Sequence, residues 1–168
     1  DQFHKNRDSI YQVYTNSETP QGKESSISNP VPFAHAFIKE VPGIQYITRV
    51  QTNGSTIGIG DKSFNVNSTY ADPAFFEIFT FPVVSGNTKN PLDETYDAVI
   101  TENAAKRFFA KEDPIGKTLM LQKDGEKVPV TVTAVVEDLH ETSSLGFDVV
   151  FNFQNLPAQT YSDNLNRW

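Results

Sequence analysis

Two stretches of the chain hold residue types that could do chemistry. Gly116-Lys117-Thr118 has the ending of a phosphate-gripping loop, and Glu137, Asp138, His140, Glu141 and Ser143 gather carboxylates, an imidazole and a hydroxyl into one short run. A phosphate loop needs an earlier glycine, followed by four residues and then Gly-Lys-Ser/Thr, so that successive backbone N–H groups can curl around phosphate oxygens. That earlier position is Lys111. The flanks are reversed as well. Such a loop leaves a buried strand and opens a helix, whereas here residues 103–109 read as helix and residues 118–122 as strand. The stretch is better read as a helix exit, with Pro114 unable to continue the helix and Gly116 supplying a permissive turn.

The Glu137–Ser143 run could bind a metal or supply a base, but a polar loop after a strand commonly holds such residues without chemistry. His4, His35 and His140 are too far apart in sequence to form the paired helical ligands of a zinc hydrolase. Gly58-Ile59-Gly60 lacks the third glycine and the following helix of a dinucleotide fingerprint, and no Gly-x-Ser-x-Gly elbow occurs. Asn53-Gly54-Ser55 and Asn67-Ser68-Thr69 fit the glycosylation triplet, a pattern that chance produces often, and no function is assigned to them. The reading is therefore no catalytic residue, no cofactor and no metal.

The totals narrow the classes further. The 168 residues, with a net charge of −7, carry 14 Lys and Arg scattered along the chain, which argues against a nucleic-acid partner. Cysteine is absent, removing disulfides, thiolate metal sites and cysteine nucleophiles together. No run reaches the roughly 18 apolar residues of a membrane span, so the chain as given is expected to be soluble. Thirteen Phe and six Tyr favour sheets packed against a few helices.

The elements follow from periodicity and punctuation. "SIYQVYT" reads as a strand and "NSETPQGKESSISNP" as an exposed loop. A short helix follows, capped by Asn29, opened by Pro30 and Pro32 and stopped by Pro42-Gly43, with Phe33, Ala36, Phe37 and Val41 on one face. "IQYITRVQ" then reads as a strand, completing a β-α-β unit over about residues 9–51. Two strands joined through Gly60-Asp61-Lys62 come next, and an Asp72-Pro73 helix start leads into Phe75, Phe76, Ile78 and Phe79, with Phe81, Val83 and Val84 running to Gly86. A strand ending at Ile100 passes through Thr101, a helix cap, into a helix carrying Ala105, Phe108 and Phe109. A hairpin turns at Lys123-Asp124-Gly125-Glu126, its second strand alternating cleanly from Val130 to Val136, and "FDVVFNF" is a further strand.

The order of these motifs carries more than any one of them. "NSTYADPAFFEIFTFPVVSGN", "DAVITENAAKRFFAKEDPIGKTL" and "VTVTAVVEDLHETSSLGFDVVFNF", in this order and spacing, resemble the periplasmic core domain of MacB-like (FtsX-like) ABC transporter permeases. "FHKNRDSIYQVYTN" looks like the segment that follows the first membrane helix in their Bacteroidetes-type members. The resemblance is densest from Asp72-Pro73 through Phe76 and Phe79 to Gly86, and around Asp113, Pro114 and Gly116, all taken as structural.

It implies an α+β, two-lobed domain of an inner-membrane permease. Residues 1–69 and 147–168 would form a membrane-proximal β-α-β lobe, and 70–146 an inserted β-rich lobe. It also implies that ATP is hydrolysed by a separate cytoplasmic subunit or domain, and that a periplasmic or outer-membrane partner and a dimer of the full transporter belong to the working assembly. Family members usually continue with another β-α-β portion, so the first lobe is expected to be incomplete where this chain stops at "NLNRW". The rival readings are an extracytoplasmic ligand-sensing or interaction module without a transport role and a metal-dependent hydrolase built on the His140 loop.

Overall fold

The computed structural model of the chain describes residues 4–20, 22–27, 29–30, 32–139 and 143–158. The first elements are a polar hairpin of β1 (Thr15–Thr19) and β2 (Gly22–Ser26), then a helix, α1 (Phe33–Glu40). Among the described residues β1 and β2 pair only with each other. This differs from the sequence reading: of the strand expected over residues 9–15 only Thr15 is in strand pairing, and the expected loop contains the hairpin. The reason is that every residue of β2 is exposed, so there is no buried face to impose hydrophobic alternation. Backbone pairing sets the register instead, helped by the Ser25 hydroxyl donating to Asn16 Oδ1 at 2.6 Å.

Asn29 does not cap α1. Its side-chain amide donates to the Val13 and Ile27 carbonyls at 3.3 and 3.2 Å, and the helix begins at Phe33 without a side-chain cap. Residues 44–49 are irregular, and strand structure starts at Val50. The Arg49 N–H is one cause, because it donates to the Asp72 carboxylate at 2.8 Å. The expected β-α-β unit over residues 9–51 is thus a hairpin, a helix and an irregular approach to the next strand.

From Val50 onward the chain builds one sheet. Its strands are β3 (Val50–Ile59), β4 (Lys62–Ala71), β5 (Val83–Gly86), β6 (Asp97–Thr101), β7 (Thr118–Lys123), β8 (Glu126–Val136) and β9 (Val149–Asn152), with helices α2 (Phe75–Ile78) and α3 (Glu102–Phe109) between them. The order is β5-β8-β6-β9-β4-β3-β7, and β7 pairs again with β8. Six strands therefore close on themselves, and β5 flanks the far half of β8. Closure removes open edges, which would otherwise present unpaired backbone groups. The β4–β9 and β6–β8 pairs are parallel and the remaining pairs antiparallel.

The turns are those the sequence specifies. Gly60 at φ +56 lies in the two-residue connection between Ile59 and Lys62, and Asp124 (φ +50) with Gly125 (φ +84) joins β7 to β8, the left-handed pair that Asp-Gly favours. Thr101 caps α3, its hydroxyl oxygen accepting from the Ala104 N–H at 3.2 Å.

Each face of the sheet carries a buried apolar cluster. On one, Ile57, Tyr70, Leu121, Val132 and Phe151 pack with Phe108 and Phe109 of α3; on the other, Val99, Ala134, Val136 and Val150 pack with Phe75, Phe81 and Phe147. The clean alternation read for Val130–Val136 is interrupted. Pairing steps from Ala98–Val132 to Val99–Ala134, leaving Thr133 as a bulge, so Val132 and Val135 share one core while Ala134 and Val136 face the other. The domain boundary expected at residues 69–70 falls inside β4, whose neighbours β3 and β9 belong to the same sheet as β5–β8.

Candidate functional site

The two densest motifs of the sequence meet at the Thr133 bulge. After α3, the Asp113 carboxylate accepts from the Ile115 N–H at 3.0 Å, and the Lys117 N–H donates to the Pro114 carbonyl at 3.1 Å, closing a turn in which Gly116 sits at φ +78. This turn is seated on β8: the Gly116 N–H donates to Val132 O at 2.8 Å, and the Val132 N–H donates to Lys117 O at 2.9 Å. The Gly-Lys-Thr stretch is spent on backbone pairing. Lys117 also pairs with Glu112 at 2.5 Å, holding that carboxyl below its usual range. Its donors are thus placed for a strand, with no phosphate cradle.

Gly86 reaches the same bulge from β5. It lies at φ +90, and a Cβ there would overlap the Thr133 carbonyl oxygen while lying 2.8 Å from Ile115 Cδ1 and 2.9 Å from Ala134 Cα. The adjacent Asn87 N–H donates to that Thr133 carbonyl at 2.9 Å. Only glycine permits the approach, for reasons of both backbone angle and space. Gly116 is different: it has the same sign of φ but open space around its missing Cβ.

Between Asp72 and Gly86 the chain forms an aromatic corner. Phe75 is fully buried, with ring centroids 5.2 Å from Phe76, 5.1 Å from Phe79 and 5.4 Å from Phe81. Phe76 and Phe79 are half-buried and Pro73 is exposed. The Asp72 side chain does not cap α2, which begins after Ala74 without a side-chain cap. Its carboxylate instead receives Arg49 through Nε at 2.9 Å and Nη2 at 2.6 Å, in addition to the Arg49 N–H. The same guanidinium lies 4.0 Å from the Phe153 ring centroid. Arg49 therefore ties the start of β3 to the end of β4 and to the segment after β9. A forked guanidinium can satisfy a carboxylate and a ring at once.

Arg49 and His4 were not singled out by sequence reasoning. His4 is buried, its Nδ1 accepting from the Thr80 N–H at 3.0 Å and its ring edge-on to Phe79 and Phe81. No local signal marks either residue, because the nearest of these partners in sequence, Asp72 for Arg49, is already 23 positions away.

Of the Glu137–Ser143 run, His140 and Glu141 lie outside the described residues. Asp138 accepts from the Asn103 N–H at 2.7 Å, covering the first turn of α3; the Glu137 N–H donates to Pro82 O at 2.9 Å; the Ser143 hydroxyl bonds Leu145. Among the described residues no group of three His, Cys, Asp or Glu is placed to hold a metal. A polar groove of about 570 Å³ is lined by Ser55, Asn67, Arg107, Gln122, Asp148 and Pro157 among others, but Arg107 and Asp148 pair at 3.2 Å within it. Asp148 also accepts from the Asn67 N–H, so the groove presents no uncompensated charge of its own from that pair. Burial pushes the nearby Tyr70 phenol up from its ordinary value, against a 2.7 Å hydrogen bond with Ser55.

A mixed sheet closed on itself and braced by short helices defines an α+β module. The MacB-like periplasmic core domain family model matches residues 1–167, and the chain belongs to that family. Over 100 residues it is 32% identical to the macrolide export ATP-binding/permease protein MacB of Aggregatibacter actinomycetemcomitans, a match covering 55% of this chain and 15% of that protein. Among solved structures, a domain of a candidate permease from Porphyromonas gingivalis superposes with a TM-score of 0.70 at 25% identity, covering 86% of this chain and 64% of the other. The periplasmic region of MacB from Actinobacillus actinomycetemcomitans shares the fold, with a TM-score of 0.59, 22% identity, and 76% and 56% of the two chains covered. The chain thus spans 15% of the curated relative and under two thirds of these solved neighbours. It is a periplasmic domain of a MacB-like ABC transporter permease, and the α+β reading is the observed fold class. No helix among the described residues is long and apolar enough to cross a membrane.

Proposed function

We propose that this domain is a non-enzymatic mechanical relay, passing displacement from ATP-driven membrane helices to an envelope substrate or partner. The observation that carries the reading is the family match along nearly the whole chain. The closed sheet supports it physically, because a densely packed block passes on a push that a loose one would absorb. The fuel is supplied by a cytoplasmic ATP-binding subunit or domain, in keeping with the broken phosphate loop. A periplasmic or outer-membrane protein and a second copy of the permease are the proposed further partners, with no nucleic acid.

Within the domain we place the division between units near residue 49 instead of inside β4, with the sheet of residues 50–156 as the rigid unit. Asp72, Pro73, Phe76, Phe79, Gly86, Asp113, Pro114 and Gly116 are proposed to act structurally, by building the bulge junction and the aromatic corner.

The test uses the full-length permease with its ATP-binding component. Because this chain has no cysteine, spin labels are introduced at the exposed positions 62 and 126 and on a flanking membrane helix. Nucleotide is expected to shift the sheet-to-helix distances while the distance between 62 and 126 stays fixed. Sheet-to-helix distances that ignore nucleotide would favour a sensing or interaction module and remove the relay.

A further inference from the structure

Residues 4–9 lie along the aromatic corner as a strap. The Lys5 N–H donates to Thr80 Oγ1 at 3.0 Å, and the Asn6 side-chain amide donates to the Glu77 carbonyl at 3.0 Å. His4 makes the inward contact. Its ring centroid is 5.2 Å from Phe79 and 5.6 Å from Phe81, both edge-on, and its Nδ1 takes the Thr80 N–H. An Nδ1 that accepts must be unprotonated, so the docked imidazole is neutral with its proton on Nε2. Protonation would set Nδ1–H against the Thr80 N–H, two donors facing one another, and would bring a full charge among phenyl rings.

We propose that His4 is a pH-sensitive latch that fastens the N-terminal strap to the aromatic corner and releases it on acidification. This goes beyond the relay reading and stands or falls independently of it. The charged groups around the latch do not imitate it. The α2–β5 stretch packed against His4 offers Glu77 as its one titratable side chain, and on the strap itself Lys5 is followed by Arg7 and Asp8, a solvent-exposed pair 3.6 Å apart. Burial is the first cause lowering the His4 pKa from 6.5. A ring nitrogen that accepts the Thr80 N–H favours the neutral imidazole.

The sign follows from linkage. The docked state prefers the neutral ring, so docking is at full strength above the ordinary value of 6.5, weakens as pH falls below it, and is lost once the docked imidazole itself takes a proton. In a permease this would let the strap, and the Phe79 and Phe81 faces beneath it, respond to the acidity of the envelope.

Amide exchange resolved by NMR on this chain reads the latch directly, because the Thr80 N–H is the donor to His4 while the neighbouring Phe79 N–H donates to Phe75 O at the end of α2. Between about pH 8 and about pH 5, after correction for intrinsic rates, the Thr80 protection factor is expected to fall at least about tenfold while that of Phe79 holds. His4→Asn supplies an acceptor oxygen in place of Nδ1 but does not titrate. It is expected to abolish the pH dependence, whether by keeping Thr80 protected throughout or by leaving it unprotected throughout. A Thr80 protection factor in the unsubstituted chain that is the same at both pH values overturns the latch. So does a His4→Asn chain that still loses Thr80 protection on acidification.

Discussion

Residues 10–49 and residues 50–156 are built on opposite principles. The second region closes six strands and buries an apolar cluster on each face, with Tyr70, Phe75 and Phe151 fully out of water. In the first, Ala34 is the one described residue of the apolar core, and Tyr11, Tyr14 and Ile27 stand in solvent. A two-stranded hairpin with no buried face is marginal by itself. Order in the first region therefore comes from hydrogen bonds and from what the chain is attached to, while order in the second is self-supporting. Arg49 stands where one gives way to the other.

The largest break in this comparison should come from the bulge junction. Gly86→Ala has to displace backbone and is expected to cost about 3 kcal/mol or more in urea unfolding, the upper range for overpacking at a strained site. A midpoint unchanged from the parent chain would mean that β5 is not held against Thr133. Next in size is Asp72→Ala, which strands the Arg49 guanidinium at a partly buried site; about 2 kcal/mol is expected. Combining it with Arg49→Ala should recover part of that loss, and strictly additive effects would show that the two side chains do not act as a pair.

Gly116→Ala sharpens the contrast between the two glycines. It shares the positive φ of Gly86 but meets no neighbour, so about 1 kcal/mol of backbone strain is expected, well short of the Gly86 value. Equal costs at the two positions would mean that backbone angle alone decides both. The smallest effect belongs to the hairpin: Glu18→Ala removes an exposed pair with Lys23 at 3.7 Å and should move global stability by less than about 0.5 kcal/mol. A larger change would place the hairpin in the cooperative unit.

How much of this was legible in sequence depends on whether burial wrote a pattern. The β7–β8 hairpin, the Thr101 cap of α3 and strand β9 were readable because Asp-Gly, a capping hydroxyl and a dense apolar run each act locally. The β1–β2 hairpin was not, since exposed strands carry no alternation. The Thr133 bulge was hidden because Val132, Ala134, Val135 and Val136 are apolar on either face, and only the pairing with β6 shows where parity switches. Of the structural residues expected to matter, Gly86 has the clearest physical reason, and Asp72 has one different from the helix start that its Asp-Pro context suggested. Arg49 and His4 act through contacts that the chain makes only after folding.

Native-state hydrogen exchange across a denaturant series tests the central claim most directly. If residues 50–156 are a single stiff block, the amides of Tyr70, Val99, Val132 and Val150 will exchange only through one shared global opening, while those of β1 and β2 will exchange at free energies near zero. Separate, lower-energy openings within the sheet would contradict the account, because a block that comes apart piecewise cannot carry a displacement.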